Sequence, residues 1–227
     1  MQIALVVVAL ILNMVVIRVL LRRRLRQRQR KMQDDLKFRF DRMNQALDAM
    51  RQSHREAFTA KFIVPLRAVA ASEARRVRDE AGRRLSKAGQ KLSRAGARLS
   101  GARLCTAPDA VARVQASYEQ CSEGFRLALA SLTSAETELT KSEAAEREAR
   151  GKFINACQNF VHKAELARRH YEALAGDLAI LRNVAKSPDL PALAQDWSRA
   201  QEAASLAGPE IDHNLAAACR FSADARP

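Results

Sequence analysis

Residues 81–101 read AGRRLSK-AGQKLSR-AGARLSG, three copies of a seven-residue unit. Leu85, Leu92 and Leu99 alternate with Ala88, Ala95 and Ala102 at spacings of three and four. That alternation keeps one face of a helix turned toward a partner, as in a coiled coil. Gly82, Gly89 and Gly96 sit beside the alanines. Such small residues let two backbones approach closely, although each glycine costs about 1 kcal/mol of helix stability. Arg83, Arg84, Lys87, Lys91, Arg94 and Arg98 decorate the stretch and Arg103 follows it, with no acid between Glu80 and Asp109. Three readings stay open here: a basic amphipathic helix lying on lipid, a close-packed arm of a bundle, or a weakly ordered linker.

Helical patterning continues on both sides. Upstream, in 32–62, Leu36, Phe40, Met43, Leu47, Met50 and Phe58 recur on helical spacing and mark a buried face. Pro65 is expected to interrupt or kink this helix. Downstream, Thr106-Ala107-Pro108-Asp109 reads as a capped helix start, and no proline follows until Pro188. The span carries an apolar series that includes Val114, Tyr118, Phe125, Leu129, Leu132, Phe153, Phe160, Leu174 and Leu181. It predicts one very long helix or two to three bent pieces, with Gly124, Gly151 and Gly176 as candidate breaks. Ser187-Pro188-Asp189 reads as another cap, leading to a short helix near 193–206 that Gly208-Pro209 ends, with a frayed tail beyond.

Composition agrees. Among 227 residues there are only 8 Gly and 6 Pro, too few turn residues for a β-barrel or a glycine-rich nucleotide-binding α/β domain. The net charge of +14 is unevenly spread. Residues 1–107 hold 25 Lys+Arg against 8 Asp+Glu, while 108–227 hold 14 against 17. A uniformly basic nucleic-acid binder would not divide this way. Acids of the second half are placed to face cations of the first within a bundle.

The N-terminus explains part of the asymmetry. Residues 3–21 read IALVVVALILNMVVIRVLL, 19 residues or about 28 Å of helix, enough to span a hydrocarbon core. A cleavable signal would carry its charge before the apolar run and a small-residue site after it. Here the charges come after: Arg22, Arg23, Arg24, Arg26, Arg28, Arg30 and Lys31, with no acid before Asp34. The pattern reads as an uncleaved anchor whose cationic flank stays in the cytoplasm, N-terminus outside and body inside. The cluster sets topology, and it is also placed to recruit anionic lipid at about 1 kcal/mol per charge. It has no interleaved aromatics, which argues against nucleic acid.

Two stretches resemble the LemA family. Asp35-Leu36-Lys37-Phe38-Arg39-Phe40-Asp41 is similar to the segment that follows that family's single N-terminal span. Glu143, Ala149 and Arg150, followed by Phe153, Ala156, Cys157 and Phe160, keep the spacing of its later helix. The proline that the family carries after the first segment is absent from 41–46. The resemblance implies a membrane-anchored antiparallel helical bundle without catalytic residues.

Side-chain chemistry offers little else. Cys105, Cys121, Cys157 and Cys219 show no paired spacing, so a zinc site is not expected, and a cytoplasmic body keeps them reduced. Glu210-Ile211-Asp212-His213 is a lone E-x-x-H where a di-iron bundle needs two. His162 and His170 read as solvated or core residues, and Trp197 as a packing anchor for the last helix. No nucleophile elbow or phosphate-cradling loop is present.

The sequence therefore predicts an all-α protein: a single N-terminal transmembrane helix over 1–21, a basic juxtamembrane segment over 22–31, then an elongated antiparallel helical bundle or hairpin over 32–186. Short helices and a tail complete it over 187–227. The expected function is a scaffold or interaction protein of a bacterial inner membrane, not an enzyme, without cofactor or metal, working through a protein partner or self-association. The alternative is binding of anionic lipid, or less readily nucleic acid, through the basic stretches 22–31 and 83–103.

Overall fold

The structure, a computed structural model, describes residues 2–102, 108–185 and 191–225; of these, the side chains of 2–13, 15, 22 and 185 lie outside the described ones. The described chain is all-helical, with α1 over Gln2–Ala102, α2 over Pro108–Ala185 and α3 over Pro191–Asp224. Among the described residues, no helix is long and apolar enough to cross a membrane. Most of the apolar run at 3–21 falls on side chains outside that set; its backbone is the first part of α1. The capping residues Thr106 and Ser187 also lie outside the described residues.

The helices form two compact units, where the sequence reading has one bundle over 32–186. Unit 1 combines Met1–Ala57 with Ala156–Pro227, and unit 2 is Phe58–Asn155.

Unit 1 is a three-helix bundle. On α1 a seam runs through 36, 40, 43, 47, 50, 54 and 57, alternating by four and three, with Ala46 and Ser53 also buried beside it. On α2 they are 157, 160, 164, 167, 171, 174, 178 and 181, and on α3 the series runs without a slip from Leu193 to Phe221. Leu36, Met43, Met50, Phe160, Leu174 and Ile211 are essentially sealed from solvent. Pairing directions follow from the contacts. His54 stacks on Phe160 and Arg39 pairs with Asp177, so α1 and α2 are antiparallel. Lys37 meets Asp196 and Arg51 meets Glu210, so α1 and α3 run parallel. Trp197 Nε1 donates to the Leu178 carbonyl at 2.9 Å, joining α3 to α2 as the sequence reading has it.

Unit 2 is an antiparallel helix pair. Arg75 faces Glu143, Gly89 faces Phe125 and Gly96 faces Tyr118, the second number falling as the first rises. Ala81, Ala95 and Leu99 are buried, with Leu85, Ala88 and Leu92 half-buried between them. Of the three readings of 81–101, the close-packed arm describes this geometry. Two glycines of the repeat face rings: a Cβ at Gly89 would lie 3.5 Å from the Phe125 ring and one at Gly96 3.6 Å from the Tyr118 ring, ordinary contact distances that an alanine would also satisfy. Aromatics seven residues apart on α2 thus lie against glycines seven apart on α1.

The spacing is irregular once on each long helix. On α1 the positions run 54, 57, 60, 64, 68, 71, two threes followed by two fours, which cancel. On α2 they run 146, 149, 153, 157, 160, and there the two successive fours make an eleven-residue step, which locally unwinds the supercoil.

Of the two readings of 108–185 the single very long helix holds, unbroken at Gly124, Gly151 and Gly176. Other expectations change: Pro65 does not interrupt α1. Gly208-Pro209 does not end α3, which continues to Asp224, and Ala225 N still donates to Phe221 O. An interior proline costs about 3 kcal/mol, and α3 offsets this by burying Ala204, Ala207, Ile211, Ala218 and Phe221 on both sides of it. Phe58, assigned to the buried face, is 51% exposed, and Ala57 beside it is fully buried instead.

Gly208 and Gly82 should respond in opposite ways to alanine. A Cβ at Gly208 would lie 2.9 Å from Tyr171 Oη and 3.1 Å from Cζ, whereas nothing lies within 4 Å of one at Gly82. Gly82→Ala is expected to stabilise unit 2 by about 0.5–1 kcal/mol through helix propensity. In Gly208→Ala, overpacking outweighs that gain and destabilises unit 1 by about 1 kcal/mol. Denaturant titration of each variant against the parent measures both signs.

Candidate electrostatic interface

Cations of α1 divide into those that have found acids and those that have not. Lys37, Arg39 and Arg51 pair with Asp196, Asp177 and Glu210 inside unit 1, and Arg75 with Glu143 inside unit 2. Acids of the second half thus meet cations of the first, as the charge asymmetry predicts. Arg51–Glu210 is bidentate, Nε to Oε1 at 2.6 Å and Nη2 to Oε2 at 2.7 Å. Those hydrogen bonds hold the Glu210 carboxyl below its usual range against the opposing effect of burial, and hold the Arg51 guanidinium above its own. With both groups about a third or more exposed, the pair contributes on the order of 1 kcal/mol or less.

The cations near the start of α1 are different. Arg23, Arg24, Arg26, Arg28, Arg30 and Lys31 are exposed on a continuous helix, and none forms an ion pair among the described residues. The Arg22 side chain lies outside the described set. Arg26 and Arg30 flank a recess beside the start of α3 at Pro191.

The second cluster lies on α1 in unit 2. Arg83, Lys87, Lys91, Arg94 and Arg98 are all exposed and form no ion pair among the described residues, while Arg84 meets Glu80 at 2.7 Å. Arg103 lies outside the described residues. Relative to the seam positions 81, 85, 88, 92, 95 and 99, Arg83, Lys87 and Arg94 fall near the midpoints between neighbours, and Lys91 and Arg98 are adjacent. Together they form one basic ridge, with Arg83, Lys87 and Arg94 on the side turned away from α2 and Lys91 and Arg98, each one residue before a seam position, at its flank. Its length, from 83 to 98, is about 22 Å at ~1.5 Å per residue. The apolar side of the same helix is already packed against Tyr118 and Phe125.

An apolar row was not recognised in the sequence. Phe58, Phe62, Leu66 and Val69 are 51%, 57%, 69% and 66% exposed. The seam beside them is built from Ala57, Ala60, Val64 and Ala68. Large residues face out and small ones face in, the reverse of the usual arrangement. The signal was legible: between 58 and 70 both helical faces are apolar, and only Thr59, Lys61 and Arg67 are polar.

No group of three or more His, Cys, Asp or Glu converges on a metal position among the described residues. A groove of about 700 Å³ in unit 1 has Leu36, Ala173 and Leu181 among its lining, with Arg39 and Arg42 balanced by Asp35 and Asp177. His54 is a core residue, its ring 4.9 Å from Phe160 and 5.9 Å from Phe221. Of the segments resembling the LemA family, Leu36, Phe153, Cys157 and Phe160 occupy buried seam positions. Compared with known proteins, the chain matches no family model and no curated protein.

Burial pushes the His54 imidazole below its ordinary range, with His213 adding to the effect. The unfolded chain therefore takes up this proton more readily than unit 1 does. The contribution is complete above about pH 6.5 and is lost as pH falls through the lower folded value. Unit 1 is expected to unfold at lower temperature near pH 5 than near pH 7.5. In His54→Leu that difference should shrink, whatever the variant's absolute stability, and calorimetry across this range measures the slope.

Proposed function

We propose that the chain is a single-pass membrane protein whose N-terminal apolar helix holds a non-catalytic helical scaffold at the cytoplasmic face of a bacterial inner membrane. The observation that carries the reading is the continuity of α1. One helix contains the apolar run, the arginine cluster and the first strand of the three-helix seam, which begins at Leu36, five residues beyond Lys31. An anchor joined in this way needs no flexible linker. The apolar length of residues 3–21 fits a bilayer core, and the cations after it fit the cytoplasmic side. The order of anchor and bundle is also what the resemblance to the LemA family implies. A scaffold role, through a protein partner or a second copy, suits helices that present long side faces and little concave surface.

A second reading is favoured by the unneutralised cations. Residues 22–31 and the ridge at 83–98 are placed to bind anionic lipid, each charge near the surface adding about 1 kcal/mol. Nucleic acid fits less well, since no aromatic residue interleaves with either cluster.

Reporters fused after Pro227 test the orientation. A reporter that works only in the cytoplasm should be active and one that works only outside should be silent. The reverse result would overturn the orientation. A high-salt wash should leave the chain in the membrane fraction, and deletion of 3–17 should release it.

A further inference from the structure

We propose that the recess between α1 and the start of α3 holds the phosphate of an anionic lipid from the adjoining leaflet, gripped by Arg26 and Arg30. The proposal deepens the lipid-binding reading of 22–31, and rests on it and on the anchor for the class of ligand.

One face of α1 builds the site. Arg26, Arg30, Gln33 and Lys37 follow at spacings of four, three and four, and so share a side of the helix. Gln33 and Lys37 both reach Asp196 on α3, and Arg51, farther along, reaches Glu210 on the same helix. The face thus pairs with acids of α3 along unit 1. α3 begins at Pro191, and Arg26 and Arg30 stand at that end of it, forming no ion pair among the described residues.

These two cations line a recess, not a flat surface. Its volume, about 390 Å³, is that of a small-ligand site. Gln29 and Gln33 complete the wall on α1, and Pro191, Ala192 and Leu193 form the wall on α3. Donors therefore line one side and apolar groups the other, with no acid among the lining residues. An esterified phosphate divides in the same way, into charged oxygens and glyceryl carbons. Two guanidiniums one helical turn apart can donate to a single phosphate, and the Gln29 amide lies between them.

Location selects lipid as the source. Arg26 lies five residues beyond Leu21, the end of the apolar run. At ~1.5 Å per residue that is about 8 Å, the thickness of the headgroup layer. Helical side chains lean toward the N-terminus of their helix, which carries the Arg30 guanidinium back toward that layer. Leu21, Leu25 and Gln29 follow at spacings of four, and both leucines are exposed. An acyl chain lying along them has its headgroup at the recess, an approach that a free phosphate does not use. Nothing here requires α1 to bend, since the helix crosses the bilayer, passes the recess and leads on into the bundle.

A phosphate held in the recess ties the first turn of α3 to α1, so amide hydrogen exchange in α3 reads its occupancy. With the full chain in vesicles containing phosphatidylglycerol, amides 195–198 should exchange about tenfold more slowly than in pure phosphatidylcholine. Changing both Arg26→Gln and Arg30→Gln should abolish the difference. Changing both Arg24→Gln and Arg28→Gln removes equal charge from the opposite side of the helix and should preserve it. Ala192→Phe keeps every charge but fills the recess, and should abolish it as well. The amide of Leu174, in the sealed core, should be unaffected in each variant, showing that unit 1 is folded. Equal loss in the two double variants, or a difference that survives without Arg26 and Arg30, would overturn the site. Enrichment of phosphatidylglycerol over phosphatidylcholine around the extracted chain measures the broader lipid reading separately, and flotation with pure phosphatidylcholine measures the anchor. Glycerol 3-phosphate or inorganic phosphate at millimolar concentration should not slow exchange in phosphatidylcholine vesicles. If either does, the recess belongs to soluble phosphates and the lipid assignment falls.

Discussion

The alternation of threes and fours along each helix is the constraint on which the other contacts depend. It turns one narrow face inward, and everything else is placed by what remains. On α2 the seam uses Ala164 and Ala167 between Phe160 and Leu174, so that backbones come close where small residues lie and rings fill the space where they do not. In the helix pair of unit 2 Gly89 lies under Phe125 and Gly96 under Tyr118. Dispersion and apolar burial at such contacts are individually small and add over many turns. Polar residues in the seam have a different role. Asn214 is buried, donates to the Glu210 carbonyl and leaves its Oδ1 without a partner among the described residues. A polar residue at such a position disfavours sliding of one helix along another, at a cost in stability.

Much of this was legible in the residues. The heptad repeat marked the Leu and Ala face of 81–101 but left three readings of it open, and the charge division anticipated that acids of the second half face cations of the first without naming a pair. What failed did so for local reasons. Phe58 was placed inside because a large aromatic outweighs an alanine in any reading by hydrophobicity. The regular alternation through 47, 50, 54 and 57 instead turns Ala57 inward and leaves Phe58 outside. Gly208-Pro209 was read as a stop, which holds when a helix stands alone. Here burial on both sides of Pro209 exceeds the loss of one hydrogen bond, and Gly208 is there to admit the Tyr171 ring. The division into two units had no compositional mark, since no loop separates them: each of the two long helices runs through both.

Charge follows the same logic of what the seam leaves over. Cations of α1 beside an acid on α2 or α3 are paired at the flanks of the seam. Among the described residues, those at 23–31 and, apart from Arg84, those at 83–98 form no ion pair. Exposed pairs add little stability, so the paired cations serve mainly to fix which helix faces which.

Unit 1 is assembled from the two ends of the chain, and unit 2 from its middle. During synthesis the middle is complete first, and its contacts close a short loop between neighbouring helices. The first helix, by contrast, cannot bury Leu36, Met43 and Met50 until α2 has returned to it, and cannot meet Glu210 or Phe221 until α3 has been made. Pairings between distant residues form slowly, and surfaces that wait for them are exposed to proteases and to aggregation in the interval. A product cut short before α3 would keep part of that apolar surface uncovered for its whole lifetime. The topology therefore marks incomplete copies: only a chain translated through α3 can cover the apolar face of α1.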